Sequence, residues 1–267
     1  VTQALLHEAL GPLRADPAAS AILLDIDGTL SPIVENAADA NVPETTRKLL
    51  IGISRRFGMV ACVSGRRASE ARAMVSIGTI TYIGTHGAEL LQAGWTEPVL
   101  DPNVREWAAR IDDFRREADT AELRRSRVRI EDKGPIVAFH WRGAGDEDVA
   151  REAVDAVARR AEAAGLEVHW GRKVMEARPP VRIDKGAGVS ALLHRAGVAQ
   201  ALYAGDDVTD LDAFAALRRL KERGSLQHAV CVGVRSDDGP PEIEAQADVT
   251  VEGTEGMQEL LAALAAD

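Results

Sequence analysis

The chain has 267 residues, enough for one large domain or two modest ones. Hydrophobic residues make up 46% and charged residues 28%, the ordinary balance of a soluble globular protein. The formal net charge of −10 offers no basic footprint, which argues against general binding to nucleic acid or an anionic membrane; an anionic substrate stays open, because a local metal and lysine can outweigh the global field.

The stretch Val1–Ser20 carries His7, Glu8 and Asp16 and lacks the basic start and apolar centre of a signal peptide. No apolar run reaches membrane-spanning length, so a cytoplasmic protein is expected. The first patterned element is Ala21–Asp25, a short apolar strand that runs into Asp25-Ile26-Asp27-Gly28-Thr29-Leu30. Residues i and i+2 of a strand share a side. Asp25 and Asp27 therefore arrive close together, although the glycine turn re-aims the second. Neighbouring carboxylates repel unless a cation sits between them or one takes a proton. Mg²⁺ meets that need with few carboxylates plus substrate phosphate. A calcium loop fits poorly, because Leu23 stands two residues before Asp25 in what reads as strand.

Glu44–Phe57 reads as an amphipathic helix with Leu49, Leu50 and Ile53 on one side. Met59–Val63 is a strand ending in Ser64-Gly65-Arg66. Arg67–Val75 is a helix, and Ile80–Ile83 a strand before Gly84-Thr85-His86-Gly87. This alternation predicts a parallel, doubly wound sheet. Such sheets bind ligands beyond the carboxyl ends of their strands. Cys62 and Cys231 lie in apolar runs and are expected to be buried free thiols, with no zinc spacing or disulfide framework.

The middle changes character. Asn103–Glu117 is predicted as a helix presenting Val104, Trp107, Ala108, Ile111 and Phe114. Two strands follow, Arg127–Lys133 and Ile136–Arg142, joined at Gly134-Pro135. Asp146–Ala164 is a second helix with Val149, Ala153 and Val157 facing inward. Leu166–Trp170 and Val174–Arg178 are two more strands. The order α-β-β-α-β-β predicts a small antiparallel sheet under two helices. Val128, Ile130, Val137, Phe139, Trp141, Val168, Trp170, Met175 and Ala177 can face those helices. The opposite face then carries a dense set of charged groups, Glu131, Lys133, His140, Arg142, His169, Glu176 and Arg178 among them. Such a face is either simply solvated or suited to a polyhydroxylated ligand, whose hydroxyls pair with carboxylates and basic groups.

After Pro179-Pro180 the α/β pattern resumes with the helix Gly186–Ala196, the strand Ala201–Gly205, the helix Leu211–Arg223 and the strand Ala229–Val234. Asp248–Val251 is a short strand before a last helix that Thr254 is placed to cap. The core is therefore expected to be discontinuous, residues 1–98 and 181–267, with residues 99–180 inserted.

Four polar features follow core strands or open a core helix: Asp25-x-Asp27, Ser64-Gly65, Lys185-Gly186 and Gly205-Asp206-Asp207-Val208-Thr209-Asp210. Converged on one crevice, they could hold one Mg²⁺ through Asp25, Asp206 and the backbone carbonyl of Asp27, with Asp210 as a ligand or as a group behind one. Ser64 and the N–H groups after it, from Gly65 on, can hold phosphate oxygens. Lys185 can neutralise phosphate charge.

Together these runs resemble the haloacid dehalogenase superfamily. The resemblance implies that Asp25 is the nucleophile that forms an aspartyl phosphate, that Asp27 is the general acid and base, that Ser64 and Lys185 bind phosphate, and that Asp206 binds the metal. More narrowly, the chain resembles trehalose-6-phosphate phosphatases over nearly its full length. The runs that carry this are Asp25–Pro32, Val63–Arg66, Gly84–Glu89, Ile130–Gly134, Val137–Arg142, Val174–Pro179, Arg182–Gly186 and Gly205–Asp210. It implies Mg²⁺-dependent hydrolysis of trehalose 6-phosphate, with Glu131, Lys133, Arg142, Glu176 and Arg178 of the inserted cap holding the sugar. It adds Arg66 and His86 as substrate contacts, although a lone histidine between glycines also reads as structural. Ala177 and Ile183 depart from the family pattern, which leaves sucrose phosphate or a glucosylglycerate-type ester as alternative substrates. A catalytically silent sensor is disfavoured by the intact Asp27 and Asp206.

Overall fold

The central core strands are apolar and buried on both faces, so they must be covered by helices on both sides. A computed structural model describes residues 3–34, 39–237 and 239–266. The chain divides into two units, Val1–Val99 with Ile183–Asp267 and Leu100–Arg182.

The first unit begins with α1 (Gln3–Ala15), β1 (Ser20–Asp25), α2 (Glu44–Arg56), β2 (Met59–Val63), α3 (Ala68–Val75), β3 (Thr81–Gly84), β4 (Glu89–Leu91) and β5 (Val99–Leu100), whose last residue opens the second unit. The second continues with α4 (Pro102–Arg105), α5 (Ala108–Ala118), α6 (Ala121–Arg125), β6 (Arg129–Asp132), β7 (Val137–His140), α7 (Glu147–Ala163), β8 (Glu167–Gly171) and β9 (Val174–Arg178). The first then resumes with α8 (Lys185–Ala196), β10 (Gln200–Gly205), α9 (Asp210–Glu222), β11 (His228–Arg235), α10 (Pro241–Gln246), β12 (Val249–Glu252) and α11 (Gly253–Ala265).

The core sheet has eight strands in the order β12-β11-β10-β1-β2-β3-β4-β5. From β12 to β3 neighbouring strands pair in parallel, and β4 returns antiparallel to β3. The order reverses between β1 and β10, the place where such sheets bind ligands. Alternation along β1 feeds two cores. Ile22 and Leu24 pack with α1, α2, α3 and α11, and Ala21 and Leu23 with α8, α9 and α10. Cys62 and Cys231 are buried free thiols. Among the described residues no helix is long and apolar enough to cross a membrane.

The second unit is a four-stranded antiparallel sheet, β6-β7-β9-β8. Val128, Val137, Phe139, Trp141, Met175 and Ala177 enter one apolar cluster with α5 and α7. Trp170 lies edge-on to Trp141 and stays 44% exposed, under the Arg151 guanidinium. Three details of this unit depart from the sequence reading. The segment expected as one helix over Asn103–Glu117 is broken at Glu106–Trp107, because Pro102 and the Asp101 cap start a short helix and a turn at Trp107 ends it. A further short helix, α6, follows; it buries Leu123 and is too short to show a period. Ala153 and Val157 of α7 face the sheet as expected, but Val149 is 52% exposed, since Ala150 and Val154 complete that strip. In the core, Thr254 lies inside α11 and caps nothing.

Candidate active site

Three adjacent strands deliver polar groups at their carboxyl ends: Asp25 closes β1, Ser64 follows β2 and Asp206 follows β10. Lys185 opens α8, whose first turn is fixed by Asp184 accepting from the Ala187 N–H at 2.7 Å. The Lys185 Nζ donates to Asp25 Oδ1 and Asp210 Oδ1, both at 2.6 Å. Oxygens of Asp25, Asp206 and Asp210 all lie within 4.8 Å of one another, and all three residues are buried.

This crowding shows in their acidities. Burial raises the Asp25 pKa well above the usual range; Lys185 opposes that, while Asp210 and Asp206 add to it. Asp206 is pushed up to about 6, first by burial and then by Asp210. Lys185 is held above its ordinary value because Asp210 and Asp25 outweigh the burial that disfavours its charge. One ammonium against three carboxylates leaves negative charge that a divalent cation with hard oxygen ligands would offset.

Asp210 is already bonded at both of its oxygens. Its Oδ1 accepts from Lys185 and from the Tyr203 hydroxyl, at 2.6 Å each, and its Oδ2 accepts from the Asp206 and Asp207 N–H groups at 3.1 and 3.0 Å. Four bonds fill the four lone-pair sites of a carboxylate. Fewer bonds reach the Asp25 and Asp206 carboxylates. Asp206 Oδ1 accepts from the Thr29 hydroxyl at 3.1 Å. Its Oδ2 rests against Gly28, whose φ is +88° and where a Cβ would fall 2.0 Å away, so only glycine fits.

Asp27 does not join this cluster. Its carboxylate takes a two-pronged bond from Arg66, Nε to Oδ2 at 2.8 Å and a terminal nitrogen to Oδ1 at 2.7 Å. The repulsion expected between Asp25 and Asp27 is thus relieved by a guanidinium on one and a lysine on the other. Local spacing carried no sign of Arg66 as that partner.

The Ser64 side chain accepts from the Arg66 N–H at 3.1 Å, which leaves its own proton to donate. The Ser64-Gly65-Arg66 loop is strapped by Thr85 and His86, whose N–H groups donate to the Arg66 and Ser64 carbonyls at 2.7 and 3.1 Å. Both residues hold positive φ, +49° and +54°, a strained conformation for a β-branched threonine. The His86 ring packs where a Cβ on Gly65 would lie, 2.7 Å from Cε1. Buried Glu89 secures the other side by accepting from the Ala68 N–H at the start of α3, 2.8 Å away. Sequence reading passed over Thr29, Glu89 and Tyr203; Thr29 and Glu89 lie inside the resembling runs, whereas Tyr203 lies outside all of them.

On the cap sheet, Glu131, Ala138, Glu176 and His169 stand in one row across the four strands. Lys133 donates to Glu176 Oε1 at 2.9 Å, and Arg178 forks onto Oε2. Burial opposes the charge on Glu176, but Lys133 and Arg178 outweigh it and bring its pKa to about 2. His140 bonds Glu131 at 2.7 Å and is the chief cause of the Glu131 pKa of about 2. Arg142 stands apart, exposed beyond β7, and points to the Arg172 carbonyl at 3.5 Å.

The trehalose-phosphatase family model matches residues 23–254. The chain belongs to the trehalose-phosphatase family. A relative from Sinorhizobium fredii with the name "Probable trehalose-phosphate phosphatase" is 32% identical over 98% of this chain and 94% of its own length. An "Uncharacterized glycosyl hydrolase" of Mycobacterium tuberculosis is 35% identical over 74% of this chain, which spans only 15% of that protein. Among solved structures, the C-terminal domain of the C. albicans trehalose-6-phosphate phosphatase superposes with a TM-score of 0.72 and 20% identity over 99% of this chain and 97% of that one. A haloacid dehalogenase-like hydrolase from Bacteroides thetaiotaomicron gives 0.60 and 16% over 92% and 99%. The trehalose-phosphatase member described here thus has the haloacid dehalogenase-like fold.

Proposed function

We propose that the chain hydrolyses trehalose 6-phosphate to trehalose and phosphate, with Mg²⁺, through a phosphorylated Asp25. The observation that carries this reading is the buried set of three carboxylates and one lysine at the switch point of the sheet, in a trehalose-phosphatase family member. A cytoplasmic reaction belongs to this reading, because a charged sugar phosphate formed inside a cell does not cross a bilayer unaided.

Asp25 Oδ1 is held by Lys185, and the carboxylate attacks phosphorus as the bond to the sugar oxygen breaks. Asp27 gives a proton to that leaving oxygen, then takes one from the water that attacks the aspartyl phosphate; phosphate leaves and Asp25 returns as a carboxylate. Arg66 orients Asp27. Ser64 and the Gly65 N–H hold phosphate oxygens, and Lys185 neutralises charge on the transferring group. A Mg²⁺ ion held by Asp25 and Asp206 would add Lewis-acid stabilisation of that charge. The cap carboxylates Glu131 and Glu176, kept ionised by His140, Lys133 and Arg178, accept from sugar hydroxyls.

Phosphate release from trehalose 6-phosphate, sucrose 6-phosphate and a glucosylglycerate-type ester tests this reading. Trehalose 6-phosphate should be preferred, with activity lost to chelator and regained with Mg²⁺. Preference for another ester would move the substrate. Full activity without metal would remove the cation, and binding without turnover would make the chain a sensor.

A further inference from the structure

Tyr203 sits in the middle of β10 in an otherwise apolar layer with Leu23, Ala61, Val63, Phe214 and Leu217. It is fully buried, and Phe214 meets it edge-on at 6.0 Å. A phenylalanine would fill this space. A hydroxyl here costs about 1–3 kcal/mol unless it is bonded. This one is bonded, at 2.6 Å, to Asp210 Oδ1, the same oxygen that receives Lys185. Burial, with Asp210 and Asp25 adding repulsion, keeps the phenol protonated and therefore a donor.

We infer that Tyr203 is a positioning residue for the reaction: its hydroxyl completes the four bonds around Asp210 and so fixes Lys185 and the Asp206–Asp207 backbone. Two of those bonds run to the N–H groups of Asp206 and Asp207, and Asp206 carries a carboxylate proposed for the cation. A third holds the lysine that also reaches Asp25. Without the hydroxyl, Asp210 Oδ1 regains a lone pair inside the acidic cluster. The carboxylate is then free to rotate and let the Asp206–Asp207 backbone go, so that the Asp206 side chain is no longer held in place. Groups that orient metal ligands from behind carry about 10–100-fold in metal affinity or activity.

This inference rests on the phosphatase reading, but metal binding tests it without substrate. Mg²⁺ titrated calorimetrically into the full chain should bind about tenfold more weakly in Tyr203→Phe. At saturating Mg²⁺, kcat should fall by about the same factor while KM stays within about twofold. Phe214→Leu disturbs the same packing and keeps the hydroxyl bond; it should lower Tm and leave the Mg²⁺ isotherm in place. An unchanged isotherm and kcat in Tyr203→Phe, with only Tm lowered, would overturn the assignment. So would an equal loss of Mg²⁺ affinity in Phe214→Leu. If wild type releases phosphate from no ester, the phosphatase reading fails, and the two isotherms still decide the role of Tyr203.

Discussion

In the core, Asp25, Asp206 and Asp210 share a single lysine, whereas on the cap sheet Glu176 alone is held by both Lys133 and Arg178, and Glu131 by His140. The acidities separate accordingly, with Asp206 raised to about 6 and Glu176 lowered to about 2. Burial penalises charge in both places, so the difference lies in the partners. The core keeps a deficit that a cation and a phosphoryl group would use. The cap face is complete before any ligand arrives, its carboxylates fixed as acceptors. On the proposed function, the first set would serve chemistry on charge and the second recognition of neutral hydroxyls.

The largest test removes the nucleophile. Asp25→Asn should lower kcat by at least about 10⁴-fold, with no phosphoprotein in a rapid-quench assay, because an amide is a poor nucleophile. Asp27→Asn should cost about 10²–10⁴-fold through loss of proton transfer. Phosphate trapped on a residue other than Asp25 would break the core half of the comparison.

Next comes recognition. Glu131→Ala, Lys133→Ala or Glu176→Ala should lower kcat/KM for trehalose 6-phosphate by about 10–100-fold, the worth of a hydrogen bond to a charged group plus the partner left unpaired. At saturating Mg²⁺, p-nitrophenyl phosphate should change far less, since it has no sugar hydroxyls. Equal losses on both esters would assign the cap residues to folding or closure.

The smallest effects are on stability, and their opposite signs sharpen the contrast. A carboxylic acid whose folded pKa is raised loses stability as pH climbs from its unfolded value through the folded one. Metal-free protein should therefore weaken as pH rises through about 6, and Asp206→Asn should raise its neutral-pH stability by about 2–3 kcal/mol. Glu176 behaves in reverse: its contribution is present above the ordinary glutamate pKa of 4.5 and is lost as pH falls toward about 2. Glu176→Gln should destabilise by about 2–3 kcal/mol in a denaturant titration at neutral pH. Equal signs for the two variants would dissolve the distinction.

The strands were legible because apolar runs ending in Asp25, Ser64 and Asp206 announce both the sheet and its ligand edge. The polar face of the cap was legible because a strand alternates with period two, which separates Glu131 and Glu176 from Ile130 and Met175. What escaped was decided across space. Nothing near Asp27 shows that Arg66 will hold it, and nothing near Asp210 shows that Tyr203 and two N–H groups will fill its lone pairs. On α7, Ala153 and Val157 face the sheet as expected, but the strip beside them is mostly alanine, so Val149 was wrongly added to it.

The pairing of β1 with β10 aligns Ser20 with Gln200, and Lys185 reaches Asp25 across 160 positions of sequence. A ribosome therefore delivers the whole inserted unit, with four strands that pair only among themselves, before it delivers the neighbour β1 needs. Loop-closure entropy makes such distant pairing slow, and until it happens β1 lacks one of its two strand partners. The carboxylates of Asp25, Asp206 and Asp210 meet only once residue 210 has been synthesised. The electrostatic strain of the site is thus absent from every shorter nascent chain.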